Sequence, residues 1–217
     1  MTTASSDVRA APKIESSDLS LGDLFKDFYS VPDFQREYVW EEENVEKLLE
    51  DVYDELYVPN GQLTEGPEYF IGSIVACPDG KGTFQLIDGQ QRLTTIYLAL
   101  CAIRDHLVEL GESSPEVLKG YIKSVSTDPR TGDDVPRYRL ALQYEDSHGV
   151  LERIAEATAP VSSIPKPTAS VGHIVTAYQT IRQFLASNFD SNAMMLVFLS
   201  RAHRHRAERL PRRSGSV

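Results

Sequence analysis

The stretch Phe84-Gln85-Leu86-Ile87-Asp88-Gly89-Gln90-Gln91-Arg92-Leu93-Thr94-Thr95-Ile96-Tyr97 changes its hydrophobic period in the middle. Residues 83–87 are β-rich, whereas Leu93, Ile96, Tyr97, Leu100, Ile103 and Leu107 recur at helical spacing. A strand therefore runs into a long helix across Asp88-Gly89, and Gly111 is placed to cap the far end. The first amides of a helix have no internal acceptor and point along its axis, so with the macrodipole they form a small anion site. Gly89 lets the backbone turn sharply and lets an anion approach where a Cβ would stand. Arg92, three residues further on, can swing back over that site and grip two phosphate oxygens with its planar guanidinium. Asp88 is placed either to hold Mg2+ on bound phosphates or to cap the helix. A plainer reading remains open, in which Asp88 only caps, Gly89 only turns and Arg92 is a surface charge. No phosphate loop of the G-x-x-x-x-G-K-S/T kind competes, since Gly80-Lys81-Gly82-Thr83 is turn chemistry.

Upstream, residues 69–76 are β-rich and residues 78–82 hold Pro, Asp and two glycines, which predicts a hairpin leading into the 83–87 strand. Further upstream, Pro32-Asp33-Phe34-Gln35-Arg36-Glu37-Tyr38-Val39-Trp40 lies within a stretch, 29–39, read as extended chain. Extended alternation sends Gln35 and Arg36 to opposite faces, so that one supports structure and the other addresses a ligand. Tyr38 and Trp40 are read as core anchors. Ser17-Asp18 introduces a short helix carrying Leu21, Leu24 and Phe25, and Trp40-Glu41-Glu42-Glu43 opens another with Val45, Leu48, Leu49, Val52 and Leu56 on one face, ended by Pro59-Asn60-Gly61.

Downstream, Ser114-Pro115-Glu116 starts a helix, residues 137–142 form a short strand, residues 150–157 a helix, residues 159–168 a proline-rich loop, and Val171 to Leu185 an amphipathic helix. The expected architecture is α+β: a disordered lead over 1–17, a core over 18–111, a mainly helical extension over 112–200 and a basic, disordered tail over 201–217.

Three ordered blocks carry a resemblance: residues 31–40, residues 69–75, and Ile87-Asp88-Gly89-Gln90-Gln91-Arg92-Leu93-Thr94-Thr95. Together they resemble the N-terminal domain of GmrSD-type, modification-dependent restriction endonucleases, loosely as far as residue 190. The resemblance implies a fold akin to ParB and sulfiredoxin, with a small mixed sheet and helices, in which Gly-x-x-Arg at a helix start receives nucleotide phosphates. It implies nucleoside triphosphate binding by Gln35, Arg36, Asp88, Gly89, Gln90, Gln91, Arg92 and Thr95. It also implies hydrolysis centred on Asp88 and Arg92, with Mg2+ held by Asp88. The nucleotide would regulate cleavage of modified foreign DNA, met indirectly through a nuclease domain that is missing or separate, and an oligomer or partner subunit fits the same picture. Hydrolysing enzyme and non-catalytic binding module both stay open.

The chain departs from full-length relatives in lacking an HNH-type nuclease set. His106, His148 and His173 are scattered, and His203-x-His205 has no carboxylate or cysteine partner for a metal. The net charge is −10, yet six arginines lie past residue 200 against one acid, Glu208, which leaves −15 on the body. Such a body repels phosphate backbones at long range, so any phosphate must be met locally. The abrupt basic tail reads as a truncated or frameshifted end, and a genuine basic tail that touches nucleic acid stays open beside it. With two cysteines, no apolar run long enough to span a bilayer and no basic, apolar leader, the chain is expected in the cytoplasm and off membranes.

Overall fold

The computed structural model describes residues 17–56, 70–157, 160–189 and 206–210. It is an α+β fold. A six-stranded mixed sheet has the order β1 (Ser17–Ser20), β8 (Arg206–Leu210), β3 (Phe70–Pro78), β4 (Phe84–Asp88), β2 (Tyr29–Val31) and β7 (Leu140–Leu142). The β3–β4 and β1–β8 pairs are antiparallel, and the β3–β8, β2–β4 and β2–β7 pairs are parallel. A second sheet is the hairpin of β5 (Lys123–Thr127) and β6 (Asp134–Tyr138).

The helices are α1 (Leu21–Leu24), α2 (Glu42–Leu56), α3 (Gln90–Glu109), α4 (Glu116–Ile122), α5 (Val150–Glu156) and α6 (Ala169–Asn188). The apolar positions expected on α3 are all buried, but so are Thr94, Thr95, Leu98, Cys101, Ala102 and His106 on its other sides. The helix is thus packed nearly all round, with α6 along one flank, and becomes the axis of the core. Gly111, at φ +82°, ends it: the Glu112 amide donates to the Leu107 carbonyl at 3.0 Å.

Several expectations need correction. Ser17 to Ser20 form an edge strand, and the helix starts after Ser20, whose hydroxyl accepts from the Asp23 amide at 3.0 Å. Extended chain after residue 29 lasts only to Val31. Pro32 then opens a turn closed by the Gln35 amide on the Pro32 carbonyl at 3.1 Å. The single strand expected over 137–142 is two strands in different sheets. Arg139 divides them, its amide donating to Ile122 O at 3.0 Å and its carbonyl accepting from Tyr29 N at 2.8 Å. β5 escaped the sequence reading because its one large apolar side chain, Val125, is exposed.

The boundary expected at 111/112 does not divide the structure, because β7 completes the main sheet and α6 packs on α2 and α3. The tail expectation fails at residues 206–210, which form β8 between β1 and β3. Backbone pairing explains this: a strand inserted between two others satisfies its amides and carbonyls on both sides whatever its net charge. The rest of the tail, the lead over 1–16 and the Pro59-Asn60-Gly61 stop lie outside the described residues.

Candidate functional site

The site begins with two irregularities in neighbouring strands. Val75 pairs with Asp88 and Ala76 with Leu86, so Ile87 is an extra residue on β4. This bulge breaks the alternation of faces and leaves both Ile87 and Asp88 exposed at the strand end. On the other side of β3 the pairing with β8 shifts between Phe70 and Gly72, where Gly72 has φ +107°.

Gly89 follows at φ +82°, and a Cβ there would stand 2.9 Å from the Ser73 carbonyl oxygen. Glycine is therefore required both for the turn and for the close approach of α3 to β3. Gly89 is the N-cap, without any side-chain cap, so Asp88 does not cap the helix. The first helical bond is Leu93 N to Gly89 O at 2.9 Å, which leaves the amides of Gln90, Gln91 and Arg92 without an intrahelical acceptor.

The second wall comes from the segment after β2. The Gln90 side-chain amide donates to Arg36 O at 2.7 Å. Gln91 donates to Glu37 O at 2.8 Å and accepts from Val39 N at 2.9 Å. Beneath them the Thr95 hydroxyl donates to Gln91 O at 2.9 Å, and the Tyr38 hydroxyl therefore donates to Thr95 at 2.8 Å. Burial raises the Tyr38 phenol well above its usual range and keeps it neutral.

Between these walls lies a cleft of about 320 Å³, lined by Gln35, Arg36, Trp40 and residues 87–92. Gln35 and Arg36 both line it, contrary to the alternation argument, because their segment is a turn rather than a strand. Thr95 does not: it is fully buried and its hydroxyl is committed to Gln91 and Tyr38. The side chains of Gln90 and Gln91 likewise act as struts, leaving their backbone amides for a ligand. One polar atom is left over, since Gln90 Oε1 is buried without a hydrogen-bond partner.

Arg92 is half-buried, with Nη1 donating to Ser73 O at 3.3 Å. Among the described residues, neither Arg92, Arg36 nor Asp88 forms a salt bridge. Nor does any group of three or more His, Cys, Asp or Glu among them suit a metal ion. Among the described residues, Asp88 is the only carboxylate lining the cleft. A single carboxylate fits Mg2+ only as an ion that keeps its water and takes its other ligands from phosphate oxygens.

Sequence reasoning missed Gly72, Ser73 and Ile87, and took Trp40 for a core anchor alone, although it packs on the core and also lines the cleft. An isolated glycine within a strand pattern is the one signal that pointed to Gly72.

A larger cleft of about 890 Å³ lies among α3, α4, α5 and α6. Its charges are paired. Arg104 binds Asp105 at 2.7 Å and caps α5 through the Ile154 and Ala155 carbonyls, Lys123 meets Glu156 at 2.7 Å, and Arg182 meets Glu109. Tyr178 donates to Asp105. Hydrogen bonding by Lys123 holds the Glu156 carboxyl below the usual range.

Fold and site together define an α+β domain built round a bulged strand, a left-handed glycine and a helix start beside two arginines that form no salt bridge among the described residues. The chain belongs to the family described as the GmrSD restriction endonuclease N-terminal domain, whose family model matches residues 21–209 and so takes in most of β8. It is a module of the restriction-system kind. It is also similar to an uncharacterized protein of Methanocaldococcus jannaschii, with 29% identity over 96 residues, covering 37% of this chain and 17% of that protein. Among the described residues no helix is long and apolar enough to cross a membrane.

Proposed function

We propose that the cleft at the β4–α3 junction binds the phosphates of a nucleoside triphosphate, making the domain the nucleotide-responsive module of a restriction system. The observation that carries this reading is the lining of one cleft by two guanidiniums, Arg36 and Arg92, free of carboxylates among the described residues, together with the uncapped start of a 20-residue helix. On an acidic body, two guanidiniums and oriented amides at one point form a local sink for anionic charge. Asp88 would hold the Mg2+ that accompanies the phosphates, and the ion would supply charge neutralisation there. DNA cleavage belongs, in this reading, to a nuclease unit met by the module.

Titration of nucleotide against wild type and Arg92→Ala, with melting temperature as the folding control, tests the reading. Alanine is a good helix former, so the fold should persist, while loss of a charge-assisted phosphate contact should weaken binding by roughly 10²-fold. Equal affinity in the two proteins, or none in the wild type, would sink it.

A second reading, binding without turnover, draws support from Asp88 being the only carboxylate on the cleft wall among the described residues. Hydrolysis would transfer the terminal phosphoryl group to water, giving nucleoside diphosphate and inorganic phosphate. Phosphate release that survives in wild type and vanishes in Asp88→Asn favours the enzyme; nucleotide binding with no release favours the sensor.

A further inference from the structure

We infer that Gly72, on a strand separate from the phosphate-site sequence, is the positioning residue for Arg92: it provides the seat on which the guanidinium rests over the cleft. The inference rests on the proposed phosphate site for its functional meaning, but its geometry stands alone. A Cβ built on Gly72 would lie 2.6 Å from Arg92 Nη1, 2.8 Å from Cζ and 3.2 Å from Nη2. No side chain carrying a Cβ can occupy that point while Arg92 keeps its place. The guanidinium therefore lies flat against bare backbone, tethered by Nη1 to the next carbonyl, Ser73 O, at 3.3 Å.

Two further facts show how the seat is built. Gly72 has φ +107°, a conformation that residues with a Cβ rarely adopt. It also stands where the β3–β8 pairing shifts register, with Ile71 as the extra residue. The shift leaves Ile71 and Ile74 buried three residues apart, with Gly72 and Ser73 half-buried between them. The bulge thus presents a bare backbone surface at this point. A long arginine on the first turn of a helix has many rotamers, and seating it in one of them removes an ordering cost from ligand binding. Gly89, with a Cβ position 2.9 Å from Ser73 O, brings the helix start close enough for the reach to work.

The clash falls on the far end of a flexible side chain. Gly72→Ala should therefore dislodge Arg92 while the rest of the fold adjusts around it. The test combines nucleotide titration of wild type, Gly72→Ala, Arg92→Ala and the double variant with 15N relaxation of the Arg92 Nε–H group in the absence of nucleotide. In wild type the Nε–H should be as ordered as the backbone of α3, and in Gly72→Ala as mobile as a surface arginine. Binding by Gly72→Ala should fall at least about tenfold, toward the level of Arg92→Ala, and the double variant should lose no more than Arg92→Ala alone.

A mobile Arg92 in wild type, unchanged affinity in Gly72→Ala, or additive losses in the double variant would overturn the inference. Failure of wild type to bind nucleotide would sink the proposed function and leave the relaxation result to decide the seat by itself. Should Gly72→Ala not fold, recovery of folding in the double variant supports the clash. Continued failure there, with a mobile Arg92 in wild type, overturns it, whereas an ordered Arg92 upholds the seat and assigns the folding loss to backbone strain.

Discussion

The two clefts described above differ in opposite senses. The one among α3 to α6 is nearly three times the volume of the other, about 890 against 320 Å³, yet its cations are already spent on Asp105, Glu156, Glu109 and the carbonyls that end α5. The smaller one keeps Arg36, Arg92 and Asp88 out of any salt bridge among the described residues. Space alone asks nothing of a ligand. Cations outside any salt bridge, beside helix amides without an intrahelical acceptor, do, because an anion gains from both at once.

The largest expected effect is that of Arg104→Ala. Removing that guanidinium leaves the mostly buried Asp105 carboxylate with Tyr178 but no cation, and strips the last carbonyls of α5 of their donor. Thermal or denaturant unfolding should show a loss of roughly 2–4 kcal/mol, with nucleotide affinity of the surviving folded protein unchanged. A loss of binding without a loss of stability would move the functional site to the larger cleft.

Thr95→Val comes next. It leaves the buried Tyr38 hydroxyl without its acceptor and frees the Gln91 carbonyl, at about 1–2 kcal/mol of stability. If affinity fell as far as in Arg92→Ala, Thr95 would have to be a ligand after all. Arg36→Ala touches the exposed cation of the smaller cleft. About a tenfold loss of nucleotide affinity, near 1.4 kcal/mol, is expected without any change in melting temperature. A pure surface charge would leave the affinity unchanged as well.

The smallest effect concerns pH. The folded Glu156 carboxyl is depressed by Lys123, so its contribution is present above the usual carboxyl value of 4.5 and fades as pH falls through and below it. Both partners are about a third exposed, which limits the contribution to about 1 kcal/mol or less. Lys123→Met should flatten that part of the stability profile below pH 4.5. An identical acid limb in both proteins would show that the pair adds nothing.

What the sequence determined by itself was local. The change of period at Asp88-Gly89, the helix running to Gly111 and the sharp glycine turn between strand and helix follow from steric rules acting within a few residues, and all three stand in the structure. The order of the blocks was enough to place the family. The tertiary structure decided everything that spans distance in the chain. Gln90 and Gln91 are struts because carbonyls 54 positions away need donors, and Thr95 is sealed because Tyr38, 57 positions away, folds onto it. Gln35 and Arg36 share a cleft because a turn replaces the expected strand. β8 enters the sheet because backbone amides pair without regard to side-chain charge. The use made of a side chain depends on which partner reaches it first, and that is settled only when β3, β4, α3 and the segment after β2 close on one another.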